Sequence, residues 1–292
     1  MIQRCMTQNI ASAAANNPIG VFDSGVGGLS VLRALQTEMP NEHFVYVADS
    51  GHAPYGERDD AHVIARAHAI TKHLLAQQHI NALVVACNTA TAAAIHLLRE
   101  AYPDLPIVGI EPALKPAATL SKTGVIGVMA TRGTLQSEKF GKLLQSLHGQ
   151  ATFVLQPCDG LADAIEHDDA MKIEAYCAQY TGAMGRFGTK AGDMDTLVLG
   201  CTHYPFVTDE LRHCTGDKVF FLEGGAPVAR QARRLIEGVK EVVGAGQPTH
   251  PDVATPSNPT TRFFTTGSAE VLRDSVARWL SVEAAVTEID IQ

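Results

Sequence analysis

Cys87-Asn88-Thr89 and Cys201-Thr202-His203 each set a thiol beside polar, hydrogen-bonding neighbours. Each closes a short apolar run, Ala82-Leu83-Val84-Val85-Ala86 in one case and Thr196-Leu197-Val198-Leu199-Gly200 in the other. Such runs read as buried parallel strands, and α/β sheets hold their ligands at the carboxyl ends of those strands. A lone strand cysteine is most often a small buried hydrophobe. Two of them, one in each half of the chain, describe thiols that meet from opposite sides of a cleft. Opposed thiols suit one task well: a thiolate removes the α-proton from one face of a carbon while a thiol delivers a proton to the other. That proton is very weakly acidic, so the site must also stabilise a carbanion-like transition state.

Asp23 and His203 are placed by the sequence to set the protonation of the two cysteines. Pro205 fits an early helical position, which puts Cys201 near a helix N-terminus, a setting that lowers a thiol pKa. Cys201 and His203 could instead bind a metal, but a one-residue gap is poor zinc spacing and no second pair is evident; no metal is expected. The turn Asp23-Ser24-Gly25-Val26-Gly27-Gly28 joins a strand to a helix, where glycines let backbone N–H groups approach an anion. Its spacing is neither the dinucleotide fingerprint nor a P-loop, and a carboxylate suits it better than a pyrophosphate. The alternative is a tight turn with no ligand. Cys5, Cys158, Cys177 and Cys214 lack comparable surroundings and read as structural.

These side chains need a scaffold, and the pattern supplies one. Strands at Ile19–Phe22, His43–Ala48, 82–86 and Pro106–Gly109 alternate with helices at Leu29–Met39, Ala61–His79 and Thr91–Glu100, as a doubly wound parallel sheet requires. The second half restarts with a strand at Gly124–Met129, a helix from Leu135 to Leu147 and a strand at Ala151–Leu155. Helices at Leu161–Glu166 and Met171–Met184 lead to the second cysteine strand. The interval from Asp23 to Cys87 nearly matches that from Thr131 to Cys201, which reads as a degenerate duplication with the thiols across a pseudo-two-fold axis. A strand at Phe220–Leu222, a helix at Pro227–Val239, a loop from Gly244 to Thr261, a strand at 263–267 and a helix ending at Leu280 complete the chain.

The chain has 292 residues, room for two cores. No apolar run approaches a bilayer span, and the first seventeen residues do not read as a signal peptide, so a cytoplasmic, non-membrane protein is expected. The formal charge of −8 argues against non-specific nucleic-acid binding. An acidic protein must hold an anionic substrate with local devices rather than with its overall field.

Five ordered motifs carry a resemblance: Phe22-Asp23-Ser24-Gly25-Val26-Gly27-Gly28, Ala48-Asp49-Ser50, Ala53-Pro54-Tyr55-Gly56, Ala86-Cys87-Asn88-Thr89-Ala90 and Gly200-Cys201-Thr202-His203-Tyr204-Pro205. Together, from about Ile19 to Leu280, the chain resembles the glutamate racemases of the cofactor-independent aspartate/glutamate racemase family. The resemblance implies interconversion of L- and D-glutamate for peptidoglycan, with no pyridoxal phosphate or other cofactor. It implies Cys87 and Cys201 as the acid/base pair, with Asp23 and His203 assisting. Substrate-binding positions would be Asp23, Ser24, Tyr55, Gly56, Asn88, Thr89, Thr202 and His203, with Asp49 and Glu166 as auxiliary candidates. It implies two similar doubly wound domains, residues 18–112 with 220–282 and residues 113–219, with the substrate between them. Residues 1–17 are then an extension, expected to be disordered. The sequence is silent on oligomeric state and leaves a homodimer open; some members of the family use an N-terminal segment for control by a cell-wall precursor, but here a disordered tail is the favoured reading.

Two departures stand out. Glu223-Gly224-Gly225 replaces the family's Asp-Ser-Gly, and Cys158-Asp159-Gly160-Leu161 lacks the usual Cys-Pro start. The rival readings are an aspartate-specific racemase and a two-domain binding protein that does no chemistry.

Overall fold

In the computed structural model, residues 17–244 and 259–292 are described. The expected disordered extension and most of the expected 244–261 loop lie outside them. The chain runs β1 (Ile19–Asp23), α1 (Leu29–Glu38), β2 (Phe44–Ala48), α2 (Asp60–Gln78), β3 (Ala82–Val85), α3 (Asn88–Ala101) and β4 (Ile107–Gly109). It continues through α4 (Leu114–Leu120), β5 (Val125–Ala130), α5 (Arg132–Gln136), α6 (Glu138–Gln145), β6 (Thr152–Pro157), α7 (Leu161–Glu166), α8 (Ala170–Met184) and β7 (Thr196–Gly200). The remainder is α9 (Thr208–Thr215), β8 (Phe220–Leu222), α10 (Gly225–Gly244), β9 (Thr261–Thr265), α11 (Ala269–Leu280) and β10 (Val286–Glu288).

Two parallel sheets result, six strands in the order β10-β9-β2-β1-β3-β4 and four in the order β6-β5-β7-β8. The inner strands β1, β3 and β7 are buried along their whole length, so they need apolar residues on both faces and read as continuous runs. The first sheet holds two cores, one on each face, built around Tyr46 and Leu32 on one side and Leu83 and Ile70 on the other. The order β2-β1-β3-β4 is repeated by β6-β5-β7-β8. The order of strand addition therefore reverses beside β1 in one sheet and beside β5 in the other, and such switch points open crevices beyond the strand ends. Asp23 and Cys87 leave the first switch point; Thr131 and Cys201 leave the second. That repeated order is what a duplication requires.

Several expected boundaries move, for local reasons. The single helix expected over 135–147 is two, because the Ser137 hydroxyl accepts from the Phe140 N–H (3.1 Å) and caps a fresh start. Helix α3 begins at Asn88 rather than Thr91, so Cys87 itself is its N-cap residue. Helix α3 ends before Tyr102-Pro103, as proline dictates. The strand at 220–222 was expected to open the return to the first unit; it pairs with β7 and closes the second sheet instead. The crossing comes at Glu223, whose carboxylate accepts from the Gly225 N–H (2.7 Å) at the start of α10. The departure from Asp-Ser-Gly thus keeps a carboxylate at that helix start.

Leu197 in β7 is fully buried among the side chains beneath Cys201. Leu197→Ala is expected to cost about 2–5 kcal/mol. A lower urea midpoint at unchanged slope is the readout, and an unchanged midpoint would contradict this packing.

Candidate active site

The sequence places each functional side chain at a strand end. Cys87 sits at the end of β3 in extended geometry, at the N-terminus of the alanine-rich α3. Cys201 follows β7 and precedes a short 3₁₀ turn over Tyr204–Val207 in which Pro205 occupies an early position. Regular α-helix starts only at Thr208, so the helix N-terminus expected beside Cys201 lies beside Cys87 instead. What stands against Cys201 is a side chain: His203 Nδ1 is 3.7 Å from its sulfur.

His203 is the middle of a relay. Its Nε2–H donates to Glu166 Oε2 (2.8 Å), and Glu166 also accepts from the Val26 N–H (2.8 Å) and the Ser50 hydroxyl (2.9 Å). Burial disfavours the imidazolium, but the hydrogen bonds and charges of Cys201 and Glu166 outweigh it, and His203 is raised well above its ordinary 6.5. Burial likewise disfavours the Glu166 carboxylate. The His203 hydrogen bond and charge, with the donors from Val26 and Ser50, reverse that and hold Glu166 below 4.5. Both groups are therefore charged at neutral pH.

Cys87 has a different neighbour. Burial pushes its thiol well up, and the nearby Asp23 carboxylate pushes it further. Its sulfur lies 3.9 Å from the Ser24 hydroxyl. Asp23 is fully buried and accepts from the Ser24 N–H (2.7 Å), from the Gly28 N–H and from the Thr202 hydroxyl (3.2 Å). Burial raises the Asp23 carboxyl, an effect that the charge of His203 partly offsets. Cys87 sits at a helix N-terminus, yet burial and the Asp23 carboxylate outweigh the helix there.

The glycine-rich turn does hold carboxylates, but they belong to the protein. Its N–H groups at 24, 26 and 28 go to Asp23 and Glu166. A Cβ on Gly25 would fall 2.3 Å from the Glu166 carboxylate, and one on Gly27 would fall 2.3 Å from His203 Nδ1. Glycine is needed there because the second half of the chain presses against the backbone of the first.

Both thiols line one cavity of about 340 Å³, with Ser24, Tyr55, Gly56 and Asn88 from the first half of the chain and Glu166, Thr202 and His203 from the second. Thr89 lines it too. Asp23 and Asp49 are brought close but stand behind the wall. Asp49 is fully buried and bonded to Tyr55 Oη (2.5 Å). Asn88 presents a buried amide oxygen with no hydrogen-bond partner.

The sequence reading missed Ser50, Thr131, Cys158, Asp159 and Ser268 among the lining residues. Thr131 was detectable, since it stands after β5 where Asp23 stands at the end of β1. Its hydroxyl joins those of Thr89 (3.0 Å), which also lines the cavity, and Thr134 (2.9 Å) in a short chain. Ser268 had no local signal.

Two thiols at matching strand ends, one beside a carboxylate and one beside an imidazolium, are the equipment of an isomerase that carries a proton between the faces of a carbon. The chain belongs to the Asp/Glu/Hydantoin racemase family, whose model matches residues 19–232. It is 46% identical over 269 residues to the glutamate racemase of Ectopseudomonas mendocina, covering 92% of this chain and 97% of that one. Among solved structures it is similar to a glutamate racemase isoform from Bacillus anthracis, with 33% identity, a TM-score of 0.78, and coverage of 94% of this chain and 98% of that one. It is also similar to Escherichia coli glutamate racemase in complex with L-glutamate and the activator UDP-MurNAc-ala. There the identity is 29%, the TM-score 0.74, and the coverage 93% of this chain and 97% of that one.

The paired shifts fix a pH signature. His203 is raised, so its contribution is full below about 6.5 and drains away as pH climbs through its higher native value. Glu166 is lowered, so its contribution is full above about 4.5 and is lost as pH falls through its native value. Glu166→Gln removes the anion, and the His203 titration, followed by ring-carbon NMR, is expected to fall by at least about one unit. A titration that stays put would show that Glu166 does not hold the imidazolium.

Proposed function

We propose that the protein interconverts L- and D-glutamate by a two-thiol acid/base mechanism, without pyridoxal phosphate, and supplies D-glutamate for peptidoglycan. The observation that carries this reading is the pair Cys87 and Cys201, delivered by the equivalent strands of two repeated sheets into one cavity. Family membership and the glutamate racemase relatives support it. The two sheet units act as the two domains, each supplying one thiol. A cytoplasmic location suits this role, and among the described residues no helix is long and apolar enough to cross a membrane.

In one direction a thiolate takes the α-proton and the electron pair stays on the α-carbon, delocalised into the carboxylate. The opposite thiol then gives its proton to the other face. In the reverse direction the cysteines exchange roles. His203, charged and hydrogen-bonded toward Cys201, stabilises negative charge on that sulfur or supplies a proton to it. Asp23 is the corresponding acid/base partner of Cys87. Ser24, Thr89 and Thr202 line the pocket with hydroxyl groups for the substrate, and the free amide oxygen of Asn88 suits its ammonium group. Tyr55 and Gly56 close the cavity against Thr131, and a Cβ on Gly56 would lie 2.8 Å from that side chain. Pyridoxal phosphate is held through a lysine Schiff base, and no lysine lines this cavity among the described residues.

The α-proton of glutamate should exchange in deuterated water with the protein free of added cofactor, and that of aspartate should not. Fast aspartate exchange would favour the rival specificity, and binding of either glutamate enantiomer without exchange would make the protein a binder only. Cys87→Ser and Cys201→Ser should each lower racemisation by at least about 100-fold. They should fail asymmetrically in half-reactions started from one enantiomer. Full activity in either variant would remove that cysteine from the mechanism.

A further inference from the structure

Behind the cavity wall, the carboxylate of Asp49 gathers donors from separate parts of the chain. Tyr55 Oη donates to it (2.5 Å), as do Thr266 Oγ1 (2.8 Å), Arg66 Nε (2.9 Å) and Arg66 Nη2 (2.9 Å), with His52 Nδ1 at 3.2 Å. Tyr55 lies in one wall loop of the cavity. Thr266 lies in another, just before the lining residues Gly267 and Ser268. Arg66, on α2 and almost fully buried, supplies the countercharge. The remaining arm of its fork, Nη1, donates to the carbonyl of Ile291 (2.6 Å).

The segment around Ile291 is itself held in place. The Ile289 N–H donates to the Thr265 carbonyl (2.8 Å), and Ile291 is buried in the core beside α2. Glu288 accepts from the Ala269 N–H (2.8 Å) at the start of α11. A continuous brace therefore runs from residue 291 through Arg66 and Asp49 to two walls of the cavity.

We propose that Arg66 is a positioning residue for substrate binding, which acts by seating Asp49, and through it Tyr55 and the 266–268 loop, against the segment 286–292. The proposal rests on the reading that this cavity takes glutamate. Without Arg66, the buried Asp49 carboxylate loses its two-pronged partner and its countercharge, a costly state relieved by moving toward water and away from Tyr55 and Thr266. A lysine cannot replace the fork, because one ammonium cannot span both carboxylate oxygens and the Ile291 carbonyl. Among the described residues the guanidinium of Arg66 reaches Asp49, Ile291 and the Tyr55 hydroxyl, and none of Asp23, Glu166, His203 or the two thiols is its partner, so the proton-transfer machinery keeps its own partners.

The test compares the full-length protein with Arg66→Gln, Arg66→Lys and Ile291→Ser. Racemisation is measured from both enantiomers, D-glutamate binding by calorimetry, and the isotope effect with α-deuterated glutamate. For Arg66→Gln, KM and Kd should rise about tenfold or more. Its kcat should stay within about threefold with an unchanged isotope effect, the pattern of lost substrate binding rather than lost chemistry. Arg66→Lys should fall between, and Ile291→Ser should weaken binding in the same direction. Combining Ile291→Ser with Arg66→Gln should add little, because both break one brace. A folded Arg66→Gln protein with unaltered KM and Kd overturns the proposal even if it melts lower, and so does a loss confined to kcat. Should Arg66→Gln fail to fold, Arg66→Lys and Ile291→Ser decide on the same criteria. If the unaltered protein does not exchange the α-proton of glutamate, the functional reading fails instead.

Discussion

The site hangs on one buried carboxylate, that of Glu166. It leaves α7 in the second sheet's unit and ends among donors of the first, at the Val26 N–H and the Ser50 hydroxyl, while holding the charged ring of His203. A buried ion pair is weak evidence for stability in general, because desolvation opposes it. Here its value is geometric. Every lone pair of that carboxylate in use points to a group that must not move: a turn, a loop and the partner of Cys201. The glycines at 25 and 27 exist so that Glu166 and His203 can come this close.

Around that anchor, a repeated scaffold has been given unlike contents. Strands β1 and β5 hold the same place in their sheets, yet one ends at a buried acid, Asp23, and the other is followed by a hydroxyl, Thr131. Strands β3 and β7 deliver a thiol each. Asp23 pushes its neighbour Cys87 toward the neutral thiol, whereas the other sulfur faces an imidazolium. The backbone supplies two equivalent stations, and the side chains make them chemically distinct. A pair of thiols with unlike partners, one a carboxylate and one an imidazole, is equipment suited to acid/base work on a single carbon.

Much of this was legible in the sequence because it is local. The apolar runs before Cys87 and Cys201, and the helical patterns after them, fix both residues at strand ends without any tertiary knowledge. Tyr55, Gly56, Asn88, Thr89 and Thr202 fell into the cavity with the motifs that carry them. What was misread is what depends on distant partners. The turn at 23–28 looks like an anion cradle, and nothing within it says that the anion is Glu166, about 140 positions later. The full burial that dominates at Cys87 was equally hidden, although the sequence did place Asp23 near the thiols. The strand β10 spans only Val286–Glu288, too short for an alternation signal, and α4 follows Pro112 with little periodicity to mark it. Ser268 joins the wall only because β9 sits beside β2.

The unlikeness of the two thiol stations meets a limit set by thermodynamics. Mirror-image amino acids have equal free energies in solution, so no catalyst can favour one at equilibrium, and the specificity constants of the two directions must coincide. The lopsided surroundings of Cys87 and Cys201 can then show themselves only as a matched trade: whichever enantiomer turns over faster at saturation must also be held more loosely.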